Sequence, residues 1–154
     1  MAISKAVSKV TSRAYPLENS IGFLVGVTNR KLTRLLEKQV AQFGISSGTF
    51  FYLRVLWQEN GISQGDLAKR VNTSQPTTNA ALRKLQEAGL VALEGDPADG
   101  RRWTVNLTEK GRALEETLLP MMAEINKTLM QGLTRDQISE LRRMLLLLQA
   151  NAEV

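Results

Sequence analysis

One stretch near the middle of this 154-residue chain concentrates side chains that recognise nucleic acids. It runs SQPTTNAALRKLQE over residues 74–87, and Ser74 is a favourable helix N-cap with Pro76 in the first turn, where a missing N–H costs nothing. Apolar residues recur at helical spacing along one face, at Ala81, Leu82 and Leu85. The opposite face carries amides, hydroxyls and cations, the groups that read base edges and hold phosphates, at Gln75, Thr77, Thr78, Asn79, Arg83 and Lys84. The stretch predicts either a recognition helix in the major groove of DNA or an ordinary amphipathic surface helix.

The residues before this stretch predict a second short helix. Ser63 to Asp66 reads S-x-x-D, close to a capping box, and apolar residues follow on one face at Leu67, Ala68 and Val71. Asn72 then supplies a residue that tolerates a positive φ, and Thr73 separates it from the next N-cap, Ser74. Two short helices joined in this way form a helix-turn-helix. Such units also serve as protein-contact modules, so the geometry alone leaves DNA binding and protein binding open.

The residues after the stretch predict a β-hairpin. Gly89 ends the helix, and Leu90–Glu94 is a short β-prone run. Strong turn chemistry follows at Asp96–Gly100, and residues 103–107 then alternate between apolar and polar. A hairpin behind a recognition helix makes a winged helix, and its tip carries Asp99, Arg101 and Arg102. Guanidinium groups at a hairpin tip suit a narrow minor groove, although solvated arginines paired with local carboxylates are the alternative.

These motifs carry a resemblance to a known family. Asp99-Gly100-Arg101, five further residues and then LTEKG at 107–111 resemble the D-x-R-x5-L-T-x-x-G signature of MarR-type winged-helix regulators. The runs SQPT at 74–77 and LQEAGLV at 85–91 are similar to that family as well. The resemblance extends from about Tyr15 to Ala150.

The resemblance implies a cytoplasmic, homodimeric transcription factor, usually a repressor that leaves a palindromic operator in double-stranded DNA when a small ligand binds. By the same resemblance, Arg101 enters the minor groove and Asp99 orients it. The implied DNA-binding set is Ser74, Gln75, Pro76, Thr77, Asn79, Arg83, Asp99, Arg101 and Arg102, of which Ser74, Gln75, Thr77 and Asn79 face bases and Arg83 reaches phosphate or base.

The flanking segments are predicted to be helical. A long helix is expected from a cap at Asn19 or Ser20 to about Gln42, followed by helices over Ser46–Gln58, from Thr108 to about Met130 with a kink at Pro120, and over Arg135–Ala150. The last helix is apolar at four successive positions, residues 145–148, more than the end of a small monomer easily buries. We therefore expect a two-fold dimer, with its recognition helices about 34 Å apart.

The fold class expected from these elements is mainly α with a small β-hairpin wing. We divide the single 1–154 chain into a winged helix-turn-helix DNA-binding lobe at 46–111 and a helical dimerisation lobe formed by 15–43 and 112–154. Residues 1–14 form a basic arm that is a frayed tail, a DNA-contacting arm or a segment packed on a partner subunit.

An effector of this protein would bind, by resemblance, in a cleft between the dimerisation helices and the DNA-binding lobe. The candidate lining residues are Asn19, Ser20, Tyr52, Arg54 and Trp57. An arginine beside aromatic rings suits a small aromatic carboxylate. Surface or packing roles are the alternative for each of them.

Composition excludes several classes of protein. The net charge of +5 and the pI near 9.8 fit a polyanionic partner. The absence of Cys excludes disulfides and thiol redox sensing, and the absence of both Cys and His argues against a zinc site, so we expect no metal and no cofactor. No run is long enough to cross a membrane, and no signal peptide is visible. With no catalytic constellation, the sequence favours a DNA-binding regulator over an enzyme, and the alternative is a winged-helix protein-interaction module.

Overall fold

The computed structural model describes residues 15–95 and 103–152, and within these ranges the chain is mostly helical. The helices are α1 (Ile21–Val40), α2 (Ser47–Gln58), α3 (Gln64–Val71), α4 (Gln75–Glu87), α5 (Glu109–Leu129) and α6 (Arg135–Ala152). The strands are β1 (Ile62–Ser63), β2 (Val91–Gly95) and β3 (Trp103–Leu107). Short 3₁₀ turns at Leu17–Asn19 and Ala41–Phe43 flank α1. The predicted fold class, mainly helical with a small β wing, is confirmed.

Side-chain caps explain where the helices begin. Ser20, Ser63 and Ser74 each accept a hydrogen bond from the backbone N–H three residues later, which satisfies one unpaired donor of the first turn. Ser46 forms a complete capping box with Thr49 at the start of α2. Thr134 does the same with Gln137 ahead of α6, as the sequence predicts.

The three strands form an antiparallel sheet in the order β1-β3-β2. In the hairpin, Val91 pairs with Leu107 and Gly95 with Trp103, so β2 and β3 are matched along their whole length. The sequence analysis did not predict β1, which adds Ile62 and Ser63 to the outer side of β3. Two residues carry no periodicity, so a strand of this length gives no sequence signal.

Contacts within the chain divide it into two compact units, Met1–Gly111 and Arg112–Val154. The first unit has a continuous apolar core, formed by Val40, Ile45, Phe50, Tyr52, Leu53, Leu56, Leu67, Ala68, Ala81, Leu82, Leu85, Leu90, Val91, Val105 and Leu107. Every helix from α1 to α4 and both hairpin strands contribute to it. This core fixes α4 and the base of the wing in one rigid lobe.

The second unit buries less of its apolar surface. Leu118 and Met122 of α5 are buried, whereas no residue of α6 is. A run of large apolar side chains on α6 is exposed instead, at Met144, Leu145, Leu146, Leu147 and Leu148. Pro120 lies inside α5, which continues through it, and the kink expected there stays a prediction. The division into a DNA-binding lobe and a dimerisation lobe also stays a prediction.

Candidate nucleic-acid interface

Helices α3 and α4 form the helix-turn-helix, and Asn72 makes the turn between them. Asn72 ends α3 in the left-handed conformation, with φ 55° and ψ 52°. Among the described residues it is the only one other than glycine with a positive φ, and asparagine tolerates this region better than most side chains. The N–H of Thr73 then donates to the Ala68 carbonyl at 3.0 Å, which closes the end of α3. The sequence prediction for this turn is confirmed.

Helix α4 separates its side chains cleanly between core and surface. Thr78, Ala81, Leu82 and Leu85 are buried. Ser74, Gln75, Pro76, Thr77, Arg83 and Lys84 are exposed, and Asn79 is half-buried. Thr78, which the sequence analysis placed on the polar face, points inward, so the exposed face is narrower than predicted.

Two side-chain pairs order the exposed face of α4. The Gln75 Nε2 donates to the Asn79 Oδ1 at 3.0 Å, one helical turn further along. The hydroxyl oxygens of Ser74 and Thr77 lie 2.8 Å apart at the start of the helix. These contacts restrict the positions of the four side chains before any ligand arrives.

Behind this face, a group of three hydroxyls, two of them on buried residues, joins α2 to the helix-turn-helix. The Tyr52 hydroxyl oxygen lies 2.9 Å from that of Thr73 and 3.4 Å from that of Thr78, and the two threonine oxygens are 3.0 Å apart. Because Tyr52 and Thr78 are fully buried, these hydrogen bonds satisfy groups that water does not reach. The sequence analysis missed this group, because residues 21 and 26 positions apart leave no periodic signal.

The base of the wing rests on α5 through Gly111. A Cβ atom at this position would overlap the Leu90 carbonyl oxygen, so only glycine fits. The Gly111 carbonyl in turn accepts a hydrogen bond from Trp57 Nε1 at 2.9 Å. Nearby, the Thr108 hydroxyl donates to the Gly89 carbonyl at 2.7 Å. These contacts give a physical reason for the threonine and the glycine of the L-T-x-x-G run, Thr108 and Gly111.

A carboxylate connects α1 to α2. Glu37 Oε2 accepts a hydrogen bond from the Ser47 N–H at 2.6 Å, at the first turn of α2, where backbone donors have no helical partner. The Ser47 N–H, and then its hydroxyl, hold the pKa of the Glu37 carboxyl below its usual value of 4.5. Sequence analysis gave no sign of this contact, since Glu37 reads as one more charge on a solvated helix.

The charged residues of α3 form two ion pairs, one within the helix and one with Glu59 at the end of α2. Arg70 Nη1 lies 2.8 Å from Glu59 Oε2, and Lys69 Nζ lies 3.3 Å from Asp66 Oδ1. Both pairs are exposed, so each contributes little to stability. The cations of α4, Arg83 and Lys84, remain as exposed positive groups on the recognition helix itself.

The wing tip and the N-terminal arm lie outside the described residues. This applies to Asp99, Arg101 and Arg102, and to residues 1–14. Their expected roles in DNA contact stay predictions from the sequence.

The residues predicted to line an effector cleft do not come together in a described cleft. Tyr52 is only 2% exposed, and its hydroxyl is engaged with Thr73 and Thr78. Ser20 caps α1, Trp57 is bonded to Gly111, and Arg54 is half-buried on α2. Asn19 is exposed in the turn before α1. The placement of Tyr52 gives no support to a role in ligand contact.

Three properties of the described residues bear on other kinds of site. They contain no group of three potential metal ligands. No helix among them is long and apolar enough to cross a membrane. No buried side-chain polar atom among them lacks a hydrogen-bond partner.

The described lobe presents an ordered polar face on a rigid helix. Together with the hairpin, this face defines a winged helix-turn-helix DNA-binding protein.

Comparisons with other proteins identify the family of this chain. A sequence model described as MarR family matches residues 43–102. An HTH-type transcriptional repressor of Mycobacterium tuberculosis is 30% identical over 125 residues, which is 81% of this chain and 90% of that protein. A solved MarR transcriptional regulator from Methanosarcina mazei has a TM-score of 0.76 at 30% identity, covering 85% of this chain and 94% of the other.

The chain belongs to the MarR family, whose members are DNA-binding transcriptional regulators and not enzymes. The DNA complex of MepR from S. aureus shares the fold, with a TM-score of 0.81 at 24% identity over 87% of this chain and 99% of that one. The resemblance stated from the motifs is confirmed.

Proposed function

We propose that this regulator is a cytoplasmic, homodimeric repressor that binds a palindromic operator in double-stranded DNA and leaves it when a small ligand binds. The observation that carries the proposal is the exposed face of α4, where amide and hydroxyl groups are pre-arranged on a helix anchored by Leu82 and Leu85. A rigid helix with polar groups at its N-terminal end is the usual reader of a major groove. A relative that is 30% identical to this chain is named a transcriptional repressor.

In this proposal, direct base contacts come from Ser74, Gln75, Thr77 and Asn79, with Pro76 packed beside them. Arg83, one turn further on, reaches phosphate or base. The wing adds Arg101 to the minor groove, oriented by Asp99, with Arg102 beside it. The net charge of +5 favours association with the DNA polyanion, and we expect the affinity to fall steeply with salt.

The dimer is supported by the apolar residues that α6 leaves exposed. Leu146 and Leu147 are 62% and 51% exposed, and Leu145 and Leu148 beside them are exposed as well. Contiguous apolar surface of this kind marks an interface. Ile21 and Leu24, at the start of α1, add further exposed apolar surface. A second copy of the chain buries both sets, and its two-fold symmetry matches a palindromic operator.

Release by a small ligand requires a site near these helices. One described cleft lies between α1 and α2. It has a volume of about 260 Å³ and includes Leu32, Leu36 and the exposed ring of Phe51. Ligand sites commonly enclose about 300–1,000 Å³, so this cleft suits a compact ring compound such as a small aromatic acid. Since the cleft borders Ser47, an occupant would act on the Glu37 contact that joins the two helices.

The test is binding of the purified chain to its own upstream DNA over a salt series, with scrambled DNA as competitor. The proposal expects selective binding, a steep loss of affinity with salt, and relief by one compound from a panel of small aromatic acids. Arg101→Ala should weaken binding with the fold intact, whereas Gln131→Ala, an exposed residue after α5, should not. Equal affinity for scrambled DNA would refute the proposal.

A further inference from the structure

The hydrogen bond between Gln75 and Asn79 determines which groups this pair offers to DNA. Gln75 Nε2 donates to Asn79 Oδ1 at 3.0 Å. Outside that bond, the two outer atoms of the pair are the Gln75 Oε1, an acceptor, and the Asn79 Nδ2, a donor, while the second hydrogen of Gln75 Nε2 is a further donor between them. Rotating both amides by 180° would exchange these roles and still leave one acceptor beside one donor.

Adenine is the base whose own major-groove edge complements such a pair. It presents the N7 acceptor next to the N6 amino donor, while guanine presents two acceptors. On guanine, the acceptor of the pair would therefore face another acceptor. Gln and Asn side chains are the usual partners of adenine for the same reason.

The positions of the charged residues along α4 also favour adenine over guanine. Arginine and lysine are the common readers of guanine, and residues 74–82 contain neither. The cations of the helix, Arg83 and Lys84, come only in its third turn. The N-terminal turns, which usually contact base edges, thus lack a side chain suited to guanine.

Two small apolar groups complete this surface. Pro76 and Ala80 are both exposed and lie one turn apart on α4. Small apolar side chains recognise the C5 methyl group of thymine. Guanine O6 and cytosine N4 also place an acceptor beside a donor, but a G·C pair has no methyl group for Pro76 or Ala80 to contact.

We propose that the first two turns of α4 read A·T base pairs, with the Gln75–Asn79 pair on an adenine edge and Pro76 and Ala80 on thymine methyl groups. This inference rests on the proposed binding of a specific operator and adds the identity of the bases that α4 reads. It assigns Ala80, which the sequence analysis did not single out, to the contact surface.

The test uses the full-length chain and a randomised duplex library at fixed salt. After selection, single adenines in the enriched duplex are replaced by 7-deazaadenine, which removes N7, and single thymines by deoxyuridine, which removes the methyl group. At one A·T pair in each half-site, 7-deazaadenine should weaken wild-type binding by about 5- to 150-fold, the range of a good bidentate contact. At a neighbouring pair, deoxyuridine should weaken it as well.

Variants identify which base pairs α4 contacts. In Asn79→Ala, the effect of 7-deazaadenine should disappear, since the partner of N7 is gone. In Gln86→Ala, which removes an exposed amide from the last turn of the same helix, it should persist. The G·C pairs of the enriched duplex are probed in the same way with 7-deazaguanine. If Asn79→Ala abolishes the effect of the analogue at G·C pairs and not at A·T pairs, the inference is wrong while the proposed function stands. If no sequence is enriched, the proposed function fails and the inference falls with it.

Discussion

The hydroxyl oxygen of Tyr52 on α2 lies 2.9 Å from that of Thr73 in the turn of the helix-turn-helix. This contact joins the helix that backs the DNA-binding lobe to the turn that aims its recognition helix. Thr78, on α4 itself, completes the group at 3.0 Å from Thr73. The angle between α2 and α4 is thus fixed by directional bonds as well as by apolar packing.

Tyr52→Phe should reduce the free energy of unfolding by about 1–2 kcal/mol, since it removes the hydrogen bonds to Thr73 and Thr78 and each such bond has a usual net value of about 1 kcal/mol. The loss stays moderate because Thr73 and Thr78 remain bonded to each other, so no buried hydroxyl is left without a partner. Urea denaturation at a fixed protein concentration would measure it, with the midpoint shifted and the slope unchanged.

The matched control is Tyr15→Phe, the same chemical change at the other tyrosine of the chain, which is 54% exposed. It should alter the midpoint little. A loss at Tyr15 equal to that at Tyr52 would contradict a role for the buried hydroxyl group.

Gly111→Ala should destabilise the first unit by about 1–3 kcal/mol or more, since the new methyl group overlaps the Leu90 carbonyl and crowds Leu107 Cδ2 at 3.2 Å. Thermal unfolding followed by far-UV circular dichroism would register the change.

Gly48→Ala provides the comparison, because its methyl group meets nothing closer than the Ser46 Oγ at 3.8 Å. Gly48 lies inside α2, where alanine is the better helix former, so stability should rise by up to about 1 kcal/mol. If both variants lost stability to the same extent, the close approach of α5 to Leu90 would not be the cause.

Glu37→Gln should cost stability near pH 7 and progressively less in acid. The pKa of Glu37 is lower in the folded chain than its usual value of 4.5. Its contribution is therefore complete above about pH 4.5 and is lost as the pH falls through the folded value. Unfolding by urea across this pH range would show the gap between wild type and variant closing.

Glu116→Gln changes the same group on the exposed side of α5 and should leave stability nearly unchanged at every pH. A gap for Glu37→Gln that stayed constant from pH 7 into acid would show that the carboxylate charge does not stabilise α2.

Leu146→Lys should convert the proposed dimer to a monomer at micromolar concentration and weaken operator binding by at least tenfold, because the two recognition helices would no longer bind as one unit. Analytical ultracentrifugation would give the mass. Ser139→Lys places the same charge on an exposed polar position of α6 and should remain dimeric. If Leu146→Lys remained dimeric, the dimer interface would not include this part of α6.

Local chemistry made most of this fold predictable. The caps at Ser63, Ser74 and Thr134 and the turn at Asn72 each depend on residues within five positions of one another, and the sequence carries them directly. Gly89 likewise ends α4 with φ 70°, where glycine is favoured. The MarR-type motifs are equally local, so the family could be identified from the chain alone.

Contacts between residues that are distant in the sequence could not be predicted from it. The sequence suggests Tyr52 as a ligand residue because an amphipathic ring is compatible with a cleft, and only the folded chain brings its hydroxyl to Thr78. Glu37 was missed because its partner is a backbone N–H, which has no sequence code. The Gln75–Asn79 bond is predictable in principle, since residues four apart on a helix are neighbours, but the residue types alone indicate only that each amide could contact a base separately.

The two tryptophans of the chain occupy different surroundings, and this gives the protein two separate optical probes. Trp57 is half-buried with its indole N–H bonded to Gly111, so its fluorescence reports whether the lobe is folded. Trp103 is 50% exposed at the start of β3 and follows the predicted wing tip in the sequence, so we expect its emission to change when DNA binds. A Trp57→Phe variant would isolate the Trp103 emission, so that binding is read without an attached dye.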